Sequence, residues 1–167
     1  IIWKDYISDI IETYKDMAAQ KAENKAVIVY ESVWKHTQQI AESLAEGFSD
    51  AGMDVKVYKL SDTKSSIVMR EIMDAKVVCV GSGTYNNVMA PSVAAFLEHI
   101  RPCKFKNKKG MAFAAYGWFN QVAKEIDQRM QQSGIESCHD VINQCYTPSD
   151  DQLEDYYNIA KEIANNL

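Results

Sequence analysis

Short, uninterrupted apolar runs recur along this chain, and each is followed by a segment with helical spacing. Residues 26–30 (Ala26, Val27, Ile28, Val29, Tyr30) and 76–81, with Val77, Val78, Cys79 and Val80, carry apolar side chains at consecutive positions. A strand that is apolar on both faces must be covered on both faces, the condition of a parallel sheet with helices on each side. Residues 37–51 place Ile40, Leu44 and Phe48 on one helical face, with Gly52 as the stop. Residues 54–59 alternate as a strand, with Val55 and Val57 apolar, and 65–74 read as a short helix. Residues 91–100 follow as a helix with Pro91 in its first turn, then a strand over 111–116 and a helix over 121–132 closed by Gly134. A last strand lies within 135–145. A closing helix over 150–165 takes Ser149 as its cap and Asp150 and Asp151 as its acidic first turn. Five strand–helix pairs define an α/β, doubly wound parallel sheet with right-handed crossovers.

The 167 residues suit one domain, and 47% apolar content suffices for a core. Ile7, Ile10, Ile11, Tyr14 and Met17 are spaced as a helix, so residues 1–24 read as an N-terminal helical linker segment and 25–167 as the domain. Lys and Arg total 18 against 23 Asp and Glu, a net charge of −5, which argues against a nucleic-acid partner. No apolar run approaches the roughly 18–20 residues of a membrane span, and no signal peptide is visible. Cys79, Cys103, Cys138 and Cys145 form no C-x-x-C pair, and Cys79 reads as a reduced core thiol, which points to the cytoplasm. Cys138 and His139 are adjacent but read as a surface or strand-end accident, so no metal site is expected. Lys104, Lys106, Lys108 and Lys109 read as a solvated connector. The chain starts at Ile1 rather than Met, as a fragment of something longer would.

In an open doubly wound sheet, ligands bind beyond the carboxyl ends of the strands. Three loops leave those ends. The first holds Ser32, Val33, Trp34, Lys35, His36 and Thr37 at the start of a helix, where free N–H groups and the helix dipole favour a phosphate. The second holds Ser82, Gly83, Thr84, Tyr85, Asn86 and Asn87, and the third Ala115, Tyr116, Gly117, Trp118, Phe119 and Asn120. Hydroxyls for a phosphate, large aromatics for stacking and amides for a ring edge suit a flat aromatic ligand with a phosphate tail.

These loops resemble those of flavodoxin domains, and more closely those of the carboxyl-terminal flavodoxin-like domain of A-type flavoproteins, the flavodiiron proteins. Residues 32–37 are similar to the family's hydroxyl-x-aromatic-Gly-Asn-Thr phosphate loop. Gly81-Ser82-Gly83-Thr84-Tyr85-Asn86-Asn87 resembles Gly-Ser-Pro-Thr-x-Asn-Asn, and Pro91-Ser92-Val93-Ala94-Ala95-Phe96 looks like the helix after it. Tyr116-Gly117-Trp118 resembles the third loop's Ser-Tyr-Gly-Trp. Ile1-Ile2-Trp3 is similar to the junction after the family's metal domain.

The resemblance implies a flavodoxin-like five-stranded sheet of order 2-1-3-4-5 and non-covalent FMN held by the eighteen loop residues named above. It implies an electron-transfer domain rather than a complete enzyme. Electrons would pass from a rubredoxin or flavin reductase partner to a diiron centre that reduces O2 or NO. That centre belongs to a metallo-β-lactamase-like domain of the parent protein, and a homodimer through the full-length protein is compatible with this. The sequence departs from the pattern at Lys35 and Asn120, where the family has Gly, and at Gly83, where Pro is usual, a change expected to loosen the second loop. Alternatives are a stand-alone flavodoxin-like quinone reductase and a flavin-less structural or interaction module. A receiver-type signalling domain would need an acidic cluster at the end of the first strand, where Glu31 stands alone.

Overall fold

The computed structural model describes residues 4–167. Ile1, Ile2 and Trp3, and with them the junction resemblance, lie outside the described residues. The first helix, α1, is Ile7–Ala19, and the first strand, β1, is Glu23–Glu31. There follow α2 (His36–Asp50), β2 (Asp54–Lys59), α3 (Ser65–Met73), β3 (Ala75–Tyr85), the two-residue β4 (Val88–Met89) and α4 (Pro91–Ile100). The chain ends with β5 (Lys109–Tyr116), α5 (Val122–Gln132), β6 (Glu136–Ser137), β7 (Ile142–Cys145) and α6 (Asp150–Asn165).

The strands run in the order β2-β1-β3-β5, with β6 and β7 together forming the far edge against β5. Setting aside β4, which only turns back antiparallel on β3, this is the expected 2-1-3-4-5 sheet. The edge strand is broken into two pieces that differ in burial. Glu136 and Ser137 are exposed, whereas Ile142 and Gln144 are buried in alternation with exposed neighbours. Cys138 still donates its backbone N–H to Gly110 O at 3.0 Å, and its thiol meets the same carbonyl; the chain leaves the ladder beyond it, where His139 Nδ1 meets Asp140 O.

Side chains alternate across a strand, so each central strand feeds two cores. On one face Ile28, Cys79, Met111 and Phe113 pack with Ile40, Leu44 and Phe48 of α2 and Tyr156, Ala160 and Ile163 of α6. On the other, Val27, Val29, Val78, Val80, Ala112 and Ala114 pack with α3, α4 and α5 through Val68, Ile72, Val93, Phe96, Leu97, Val122, Ile126 and Met130. Gly81 sits where β3 passes the Phe113 ring; a Cβ there would lie 2.1 Å from that ring, so a larger residue has no room. Burial raises the Cys79 thiol well above its ordinary value, with Cys138 adding to the effect. The α6 cap is complete: Ser149 Oγ accepts from Gln152 N–H, while Gln152 Oε1 accepts from Ser149 N–H.

The lysine cluster at 104–109 is not a uniformly solvated connector. Lys108 is 1% exposed, and its ammonium donates to Met73 O at 2.8 Å and Ala75 O at 3.0 Å. It reaches the exposed carboxyl end of α3, whose last carbonyls need donors. Desolvation lowers its pKa from 10.5 to about 8, with Lys25 pressing the same way and Asp74 opposing. Lys25 is a second lysine held by the fold. It lies within β1 and pairs with Glu71 at 2.7 Å and Asp74 at 2.8 Å.

Helix α1 forms as its spacing predicts, yet none of its residues is buried, and Ile7, Ile11, Tyr14 and Met17 are all exposed. Gln20, just beyond it, accepts a bond from Lys106 N–H. Strand β2 matches its expected limits, but at the sheet's edge Val57 stays 40% exposed.

Candidate cofactor site

A cleft of ≈350 Å³ opens at the carboxyl ends of β1, β3 and β5. Its walls are the three loops singled out by sequence. Ser32, Val33, Trp34, His36 and Thr37 form one wall, Gly83, Thr84, Tyr85 and Asn86 the second, and Ala115, Tyr116, Gly117 and Trp118 the third. None of these side chains is Lys, Arg, Asp or Glu. A larger groove of ≈710 Å³ beside α1 and α3 is lined by Asp16, Lys21, Arg70, Glu71 and Asp74, and brings together no comparable set of hydroxyls and aromatics.

The first loop carries the helix terminus. Helix α2 has no side-chain cap, and its first residues, His36 and Thr37, line the cleft. Its opening N–H groups therefore offer donors to an anion, and its dipole favours one. Lys35 is the N-cap with φ 67°, a left-handed conformation that suits glycine better than lysine. Its side chain is exposed and does not line the cleft.

The second loop is not loosened by Gly83. Strand β3 runs on to Tyr85, with Gly83 in register opposite Ala115 and Thr84 opposite Met89. Ser82 is wholly buried; its hydroxyl donates to Gly83 O and accepts from Ala90 N–H at 2.8 Å, so it serves the loop's shape and stays out of the cleft. Asn86 and Asn87 take the left-handed turn, with φ 46° and 68°, as Asn tolerates. Asn87 lies outside the cleft, where its Oδ1 accepts from the Trp118 indole.

The third loop divides similarly. Tyr116, Gly117 and Trp118 face the cleft, Phe119 packs against the core, and Asn120 is exposed, accepting from Gln121. Asn120 has no positive φ, so its place at a family glycine carries no backbone strain. Thr84 Oγ1 reaches Phe119 O at 3.5 Å, a second tie between these two loops.

One wall residue escaped the sequence reading. Tyr146 follows β7 with φ 57°, accepts no place in the sheet's core, and lines the cleft against Gly117. Its N–H donates to Tyr116 O at 2.9 Å, and the next residue, Thr147, meets His36 Nε2 at 3.1 Å. The rule that sites gather beyond strand carboxyl ends would have included this fourth loop.

The residues present fit a phosphorylated flat ring. Hydroxyls and uncapped N–H groups face one part of the cleft, and Trp34 and Trp118, 79% and 81% exposed, stand at its rim. Burial raises the Tyr85 phenol above its ordinary value, and the charge of Glu31 adds to this.

A doubly wound sheet with such a cleft defines a nucleotide-cofactor binder of the α/β class. The flavodoxin family model matches residues 28–159, and the chain belongs to the flavodoxin family. Among curated proteins, it is 35% identical over 165 residues to a nitric oxide reductase of Moorella thermoacetica, covering 98% of this chain and 41% of that protein. Among solved structures, it matches the rubredoxin oxygen:oxidoreductase of Desulfovibrio gigas with TM-score 0.91 and 33% identity, over 95% of this chain and 40% of that one. The flavodiiron protein of Giardia intestinalis superposes with the same TM-score at 25% identity, over 97% of this chain and 41% of that one. The chain thus corresponds to the flavodoxin-like part of flavodiiron proteins and spans about two fifths of their length. The family and these relatives imply a flavin as its cofactor. Among the described residues, no helix is long and apolar enough to cross a membrane.

Proposed function

We propose that the cleft binds FMN without a covalent bond and that the chain relays electrons within a larger flavodiiron-type oxidoreductase. The observation that carries this reading is the meeting of α2's uncapped N-terminus with three aromatic-bearing loops in one cleft. Ser32, Thr37 and the N–H groups of the first loop hold the phosphate. Thr84, Tyr85 and Asn86, with Tyr116 and Gly117, approach the ring through backbone and side chain. Trp34 or Trp118 flanks it. Lys35 lends its charge to the phosphate from outside the cleft wall. Bound there, FMN supplies the electron-transfer chemistry, while the protein orients it and sets its surroundings.

The relatives named as nitric oxide reductase and rubredoxin oxygen:oxidoreductase support an onward path to O2 or NO. In this reading the electrons arrive from a rubredoxin or flavin reductase partner. They leave toward a diiron centre in a metallo-β-lactamase-like domain of the parent protein. A cytoplasmic setting is part of the reading, supported by four cysteines that are all unpaired. The test is reconstitution: the chain incubated with FMN and desalted should retain one equivalent of flavin that dithionite bleaches and air restores. A colourless product after incubation would overturn the reading.

A further inference from the structure

Glu31 is the last residue of β1 and sits directly before the first loop. It is 7% exposed, and no ion pair among the described residues involves it. Its partners are neutral donors, two from loops and one from the first turn of α4. Oε1 accepts from Ser32 N–H at 3.1 Å and, at 3.4 Å, from Ser61 Oγ, which also lies 3.0 Å from Asp62. Oε2 accepts from Ser92 Oγ at 3.2 Å. Ser92 stands in the first turn of α4, a helix whose N-cap, Ala90, offers no side-chain bond. An anion beside a helix N-terminus is favoured by the dipole, so Glu31 takes from another strand the place an acidic cap would fill.

A buried carboxylate without a cation is costly, and an amide or hydroxyl could tie the same loops at lower cost. What an amide would not supply is the charge. That charge sits at the cleft's edge, since the carboxylate holds the N–H of the wall residue Ser32 at 3.1 Å, and it adds to the raising of the phenol of Tyr85, another wall residue. The remaining wall side chains contribute no fixed charge against it. Uptake of two electrons and one proton adds one negative charge to a flavin ring, and a nearby fixed negative charge opposes that change.

We infer that Glu31 is a positioning residue that also sets the redox poise of the site: it ties the phosphate loop to α4, and its uncompensated charge holds the potential of bound flavin down. This rests on the proposed FMN site.

Spectroelectrochemistry of the FMN-loaded chain tests it, with FMN affinity measured in parallel. Glu31→Gln should raise the midpoint potential and give a severalfold gain in the ratio of reduced to oxidised FMN affinity. Glu31→Asp, which restores the charge, should return the potential toward wild type. Ser61→Arg, at an exposed position, exchanges one hydroxyl donor for a cation beside the carboxylate and should raise the potential as well. Bound FMN whose potential moves in neither Glu31→Gln nor Ser61→Arg would overturn the assignment while leaving the site intact. A wild-type chain that takes up no FMN would overturn the site reading, and this assignment with it.

Discussion

The indole N–H of Trp118 donates to Asn87 Oδ1 across 3.2 Å, fastening the third loop of the cleft to the second. Trp118 is 81% exposed, so this bond, and not packing, sets where the ring stands. Trp118→Ala should weaken FMN binding about fivefold, the loss of one stacked pair worth ~0.5–1.5 kcal/mol. Asn87→Ala should weaken it less and lower thermal stability by about 1 kcal/mol, since alanine adopts the left-handed φ of 68° less readily than asparagine. Titration followed by quenching of flavin fluorescence measures both, and equal affinity in Trp118→Ala would remove the indole from the site.

Lys35 holds φ 67° at the N-cap of α2, the conformation its family meets with glycine. Left-handed backbone costs a lysine about 1 kcal/mol, and glycine adopts it freely. Lys35→Gly should therefore stabilise the apo-chain by up to about 1 kcal/mol in urea unfolding. FMN affinity should fall modestly as the ammonium is lost, and Lys35→Ala separates charge from strain. Much tighter FMN binding by Lys35→Gly would contradict a compensating role for the lysine.

Lys108 predicts a pH dependence with a definite sign. Its folded pKa of about 8 lies below the ordinary 10.5, so between these values the unfolded chain binds more protons than the folded one. The Lys108 contribution to stability therefore rises with pH across that window; the raised thiols of Cys79 and Cys138 act the opposite way above their ordinary 9.0, and comparison with Lys108→Met cancels them. Lys25 and Lys109, both raised by their carboxylate partners, lose their contributions only above 10.5 and do not mask the effect. The full swing is at most about 3 kcal/mol. Chemical denaturation from pH 7 to 10 should show wild type gaining on Lys108→Met; parallel curves would contradict the burial of a titrating ammonium.

The folding unit proposed is the domain at 25–167, with 1–24 as an appended segment. None of α1 is buried, and β1 begins at Glu23. A chain starting just before Glu23 should keep a cooperative transition within about 1 kcal/mol of the full chain, read from urea midpoint and slope. A broadened transition or lost m-value would show that α1 belongs to the core.

Elements whose signals were local were legible in the sequence. Helix α4 begins at Pro91 and α6 at the residue after its Ser149 cap, because N1 proline and a capping box act within one turn. The parallel character of the central strands was legible because buried parallel strands read as continuous apolar runs, whereas their order came from the family resemblance. What was lost depended on tertiary contacts. The burial of Lys108 is set by the last carbonyl of α3 and the first of β3, more than thirty residues away. The break between β6 and β7, both of which pair with β5, carries no local signal in the sequence. Parts of all three loops line one cleft, but the direction of each side chain was not legible. Ser82 and Phe119 turned inward, Asn87 and Asn120 outward, and Tyr146 came from a loop whose only signal was its place after the last strand.

The central claim is that the first loop reads a phosphate while the aromatics read a ring. Calorimetric titration of the apo-chain with FMN and with riboflavin, which lacks the phosphate, separates the two contributions. The account predicts one FMN per chain, bound at least about tenfold tighter than riboflavin, the gain of one charge-assisted hydrogen bond or more. Equal affinity for the two ligands, or no heat with either, would contradict it.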